Sequence, residues 1–252
     1  MAEFESWKDY RIFARFVKCK ARHILDAKSK SFLEAVLETS ERRKEAINKG
    51  SVLYRSQLTN GWCTQPIRDE KGVEVDSVEV AIPADRERMV PRPDRATEGR
   101  VNAKGIPCLY LSTDHDTAMA EVRPWIGSYV SVASFEVLRD LTVVDCSADS
   151  AQYLFFGGEP LPGRREEQVW GDINRAFSEP VARADDVADY AATQVLAEAF
   201  RFGGFDGIVY GSKLGQGRNV AIFDLVAARP INGYLFIVDS LNPVFSKQAE
   251  SW

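Results

Sequence analysis

Histidine is almost absent from this chain of 252 residues, His23 and His115 being the only two. A catalytic triad or a histidine-rich metal site would have to be built on one of them, which removes several enzyme classes. The four cysteines (Cys19, Cys63, Cys108 and Cys146) form no Cys-x-x-Cys pair. Neither a disulfide framework nor a zinc site is expected, and a reducing compartment fits best. No apolar run approaches the ~20 residues needed to cross a bilayer, and residues 1–16 lack the basic-then-apolar order of a secretory leader. The expectation is a cytoplasmic protein without membrane attachment, delivery to another cell being left open. No long run of lysine and arginine stands out and the formal net charge is −5, so the composition leans away from nucleic-acid binding, a local patch being left open, and direct binding is not expected.

Familiar phosphate motifs are missing as well. The stretch from Gly99 to Gly105 places Lys104 before its second glycine, unlike a P-loop, and Gly215-Gln216-Gly217 lacks the third glycine of a dinucleotide fingerprint. What is present is an ordinary globular composition, 45% hydrophobic and 27% charged, enough for one large domain or a domain with a small appendage.

Periodicity divides the chain. Phe13, Phe16, Val17 and Ile24, then Leu33, Val36 and Leu37, repeat at helical spacing, and Asn48-Lys49-Gly50 supplies a stop. Residues 1–50 therefore read as an N-terminal helical extension, and residues 51–252 as the main domain. Strands are expected at 51–58, 108–112, 129–137, 141–146, 207–211, 219–225 and 234–238, where β-branched and aromatic residues concentrate. Residues 60–99, with four prolines and many charges, read as a long irregular excursion, and 150–186 as loops punctuated by glycine and proline. Thr113 or Asp114 caps a helix running to Glu121 or Val122, and residues 189–201 form a further helix ended by Gly203-Gly204.

Three clusters interrupt this apolar pattern with polar groups: Leu53-Tyr54-Arg55, Gly99 to Glu121, and Asp206 to Phe223. Taken singly, each has an unremarkable reading. Arg55 suits an edge strand, Glu121 complements the N-terminal half of a helix, Ser212 belongs to a turn, and Tyr110 is a core aromatic. Two glycine-bearing loops also carry basic residues, Arg100 with Lys104 and Lys213 with Arg218, a chemistry suited to a phosphate ester.

Taken together and in order, these segments resemble the RES domain family, named for an Arg, a Glu and a Ser. The central block reads GRxNxxGxPxLY followed by TAxAE. It is flanked by Tyr54-Arg55 before it and by DGIVYGS and NVAIF after it, and the resemblance covers roughly residues 51–227. It implies an α+β fold, a mixed β-sheet core similar to that of ADP-ribosyltransferases, with a cleft for NAD+. It implies an enzyme that cleaves NAD+ at the nicotinamide–ribose bond by phosphorolysis or hydrolysis. Such an enzyme acts as the toxin of a toxin–antitoxin pair and is blocked by a separate antitoxin chain.

Carried over by motif, Glu121, Arg55 and Ser212 are the catalytic candidates. Arg55, Arg100, Tyr110, Ser212 and Asn219 are the NAD+-contacting candidates. No prosthetic group or metal is implied; NAD+ is substrate, with inorganic phosphate as a candidate co-substrate. The nicotinamide of NAD+ is already a cationic leaving group, consistent with the scarcity of histidine, and the carboxylate of Glu121 suits an oxocarbenium-like transition state. Protein ADP-ribosylation and a non-catalytic nucleotide-binding module remain the alternatives, and a homodimer is left open. The 45 positions between Arg55 and Arg100, and the stretch 150–186, depart from a compact member of the family.

Overall fold

The computed structural model describes residues 3–147, 158–179 and 187–242. Among these residues, ten strands and five α-helices make a mixed α+β fold. The main sheet runs in the order β1 (Lys44–Ile47), β7 (Leu141–Asp145), β8 (Gly207–Gly211), β9 (Arg218–Ile222), β5 (Leu109–Ser112), β2 (Val52–Gln57), β6 (Tyr129–Val137) and β10 (Ala228–Ile237). Only β7 and β8 pair in parallel; every other neighbour in the sheet is antiparallel.

Alternation along the strands feeds two cores. On β8, Ile208 and Tyr210 face one side and Val209 the other. The first side is covered by four helices: α1 (Asp9–Cys19), α2 (Ala27–Ser40), α4 (Pro162–Ser178) and α5 (Ala191–Phe202). Phe13, Phe32, Trp170, Phe177, Leu196 and Phe200 form its centre. The second core holds Leu53, Leu109, Phe135, Leu141 and Ile222, and Ala84 and Met89, from the segment after β4 (Glu74–Ile82), cover it.

Several expectations are revised. Residues 44–47, read as helix, form an edge strand antiparallel to β7, with Ile47 paired to Leu141; the charged run Glu41 to Glu45 hid its single buried position. The N-terminal helices share one core with α4 and α5, so residues 1–50 contribute to the same packing and the same sheet as the rest. Residues 60–99 are not irregular throughout: β3 (Gly61–Arg68) and β4 make an exposed two-stranded hairpin around Gly72, where Pro66 is tolerated because the ribbon has no third strand. Within 150–186, residues 162–178 are helical. Pro162 lies in the first turn of α4, where it needs no donor, and Val169, Trp170, Ile173 and Phe177 form the buried face. Residues 150–157 and 180–186 of that stretch lie outside the described residues. The last strand begins at Ala228, six positions earlier than its aromatic run suggests.

Candidate active site

The sheet nearly opens between β5 and β2, which meet only through the pair Tyr54–Ser112, whereas β2 pairs along its whole length with β6 and β5 with β9. At this opening lies a cleft of about 220 Å³ lined by residues of β2, β5, β8, β9 and a short helix, α3 (His115–Glu121). Arg55, Tyr110, Glu121 and Asn219, from four separate segments, all line it. β2 lies between β5 and β6, so the edge-strand reading of Arg55 does not hold.

Glycine brings α3 and the loop after β8 together. Asp114 caps α3 by accepting from the Thr117 N–H at 2.7 Å. The Gly217 N–H in turn donates to the Thr117 hydroxyl at 2.9 Å, and a Cβ at Gly217 would stand 1.8 Å from Asp114 Oδ2. Glu121 consequently sits at the C-terminal end of α3, not in its N-terminal half as expected. The helix dipole disfavours an anion there, so its stabilisation comes from side chains. The Ser212 hydroxyl donates to Oε1 of Glu121 at 2.7 Å, and Asn219 Nδ2 donates to the same oxygen at 2.6 Å. Ser212 also accepts from the N–H groups of Leu214 and Gly215, at 3.1 and 3.0 Å. A hydroxyl has one proton and two lone pairs, so Ser212 is saturated within the protein and serves to hold the carboxylate.

Arg55 differs from the other arginines near the site. Its Nη1 donates to the Tyr110 carbonyl at 3.1 Å, but its Nε is shut off from solvent without a hydrogen-bond partner among the described residues. Burial holds the guanidinium below its usual pKa range. A desolvated cation with an unused donor is costly unless an anion joins it.

Arg100 lies outside the cleft lining. Its Nη1 donates to the Phe177 carbonyl at 2.6 Å, at the end of α4, where a cation suits the helix terminus. Arg218 makes a two-pronged pair with Glu45 at 2.7 and 2.8 Å, so of the two loop cations noted beside Ser212 only Lys213 is exposed and outside such a pair.

Tyr110 lines the cleft and turns its hydroxyl to the loop before its strand. The hydroxyl donates to Asn102 Oδ1 at 2.6 Å and accepts from the Val101 N–H at 2.9 Å. Asn102 Nδ2 donates in turn to the carbonyls of Thr97, Ala103 and Ile106, and Gln194 Nε2 donates to those of Gly99 and Asn102. The GRxN block therefore builds the wall that seats Tyr110. Sequence reasoning missed Ser112 and Tyr210, which also line the cleft. Period-2 alternation marks both as strand residues, but only the sheet order shows which strands meet here.

The profile of the RES domain matches residues 79–234, a range that contains Arg100, Tyr110, Glu121, Ser212 and Asn219 and begins after Arg55. No functionally curated protein matches the chain. Among solved structures, a chain of the M. tuberculosis MbcT–MbcA toxin–antitoxin complex aligns at 14% sequence identity with a TM-score of 0.44. The alignment covers 80% of this chain and 92% of that chain.

Proposed function

The chain belongs to the RES domain family, whose profile spans more than half of it, and from that premise we propose that it cleaves the nicotinamide–ribose bond of NAD+. The observation that carries this reading is the meeting of Arg55 and Glu121 at one opening in the sheet, with Ser212, outside the cleft lining, hydrogen-bonded to Glu121. At about 220 Å³ the cleft falls below the ~300–1,000 Å³ of pockets that enclose a whole ligand. It holds the reacting end of the dinucleotide, and the remainder lies across the mouth. Arg55 lines the cleft and offers its guanidinium charge to a phosphate there, offsetting part of the cost of its burial.

Nicotinamide departs as a neutral molecule, so no acid is required. The positive charge that develops on the ribose is stabilised by Glu121, fixed before the reaction by Ser212 and Asn219. The arrangement uses NAD+ as substrate and needs no prosthetic group or metal. Phosphate is a suitable nucleophile beside Arg55, and water attacks the same cation if phosphate is absent. A growth-arresting toxin held in check by a separate antitoxin chain is the biological role that suits such an activity.

The test is product identification after incubating the purified protein with NAD+, with and without inorganic phosphate. ADP-ribose-1″-phosphate in the presence of phosphate marks a phosphorylase and free ADP-ribose a hydrolase; either supports the proposal. Label transferred from NAD+ to protein, with little free product, replaces it with protein ADP-ribosylation. Intact NAD+ overturns it.

A further inference from the structure

One side chain in the cleft has a use that the family pattern does not assign. Ser112 is the last residue of β5, only 3% exposed, and is the residue through which β5 meets both Tyr54 of β2 and Asn219 of β9. Its hydroxyl donates to Asn219 Oδ1 at 2.9 Å. The Asn219 amide is then oriented with its Nδ2 toward Glu121 Oε1, at 2.6 Å. The opposite orientation would set an amide oxygen against a carboxylate oxygen, and the Ser112 proton on Oδ1 holds the amide against that flip.

We infer that Ser112 is a positioning residue for the NAD+-cleaving reaction, acting through Asn219 on Glu121; the inference rests on the function proposed above. From one side Ser112 and Asn219, and from the other Ser212 with its two backbone donors, form two hydrogen-bonded chains that converge on Oε1 of Glu121. Aligned donors in such chains reinforce one another. Both chains end on the same oxygen, which anchors Oε1 and leaves Oε2 as the oxygen for the developing cation. Ser112 touches neither the reacting atoms nor Glu121 itself. Its removal weakens the hold on the carboxylate in the transition state and leaves ground-state binding at Arg55 in place.

A cross-strand Ser–Asn pair could also serve the sheet alone, and steady-state kinetics of NAD+ cleavage separates the two roles. Ser112→Ala is expected to lower kcat roughly tenfold with KM within about twofold, and Ser112→Thr, which keeps the hydroxyl, to restore most of the loss. In an Asn219→Ala background, Ser112→Ala is expected to add almost nothing, because its route to Glu121 is already cut. A Ser112→Ala protein with wild-type kcat overturns the inference, as does a loss that Ser112→Thr fails to restore or that persists undiminished without Asn219. Wild-type protein that leaves NAD+ intact overturns the proposed function as well, so the two failures are distinct.

Discussion

A Cβ at position 99 would stand 2.6 Å from the Tyr110 hydroxyl and 3.1 Å from Asn102 Oδ1, closer than packed atoms tolerate. The opening glycine of the GRxN block is thus a spacing requirement of the tyrosine eleven positions later, not a phosphate-cradling device. Gly99→Ala should push the phenol off Val101 and Asn102, costing about 2–3 kcal/mol of stability in urea unfolding, with a matching fall in NAD+ turnover as the cleft wall shifts. Residue chemistry in the sequence pointed to phosphate at Arg100 and Arg218; the structure gives both guanidinium groups protein acceptors. Arg55, which lines the cleft with a buried donor unused, is set apart by its place between two central strands. No spacing in the linear chain reports that.

At the scale of elements, α4 shows how a helix escapes periodicity. Its first turn is Pro-Gly-Arg-Arg, a second glycine stands at position 171, and its apolar positions begin only at Val169, so turn-forming residues mask the pattern. Packing decides instead. Trp170 is fully buried, donates through Nε1 to the Thr39 hydroxyl at 3.0 Å, and stacks with Phe200. Trp170→Ala should therefore destabilise the protein by about 3–5 kcal/mol in chemical denaturation; a change under ~1 kcal/mol would remove α4 from the core. Strands β2, β5, β6, β7 and β8 of the main sheet were legible almost to the residue because their inward positions are strongly apolar. The β3–β4 hairpin was not, because its eight- and nine-residue strands bury almost nothing and offer no alternation against a core.

For the molecule as a whole, the fold class and the order of the site segments were readable, since the motif residues fall on strand ends and on one short helix. The integration of residues 1–50 was not, because a helix's sequence shows that it has a buried face but not what that face meets. Phe13, Phe32 and Val36 meet α4, α5 and β8 in one core. Deleting residues 1–50 is expected to give insoluble or unfolded protein by far-ultraviolet circular dichroism, whereas a detachable extension would leave a folded remainder.

Alkaline pH probes the same interior. Burial raises the phenol pKa of Tyr10, Tyr110 and Tyr210, and pushes the Cys108 thiol up to about 12. For such groups the unfolded chain ionises first, so stability is fully present below the unfolded values and is lost as pH rises from about 10 toward the folded ones. Each group contributes a slope of up to ~1.4 kcal/mol per pH unit. Urea midpoints should be flat through neutrality and fall steeply above about pH 10, with the phenolate absorbance of these three buried tyrosines appearing only as the protein unfolds.

The central claim is that Glu121, held by Ser212 and Asn219 in the cleft beside Arg55, drives cleavage of NAD+. Nicotinamide release by wild-type protein and by Glu121→Gln, measured side by side with the thermal midpoint of each, tests it most directly. Steady release by the wild type is expected, with a loss of roughly 100-fold or more in the variant at a near-unchanged midpoint. Release by Glu121→Gln at close to the wild-type rate would contradict it.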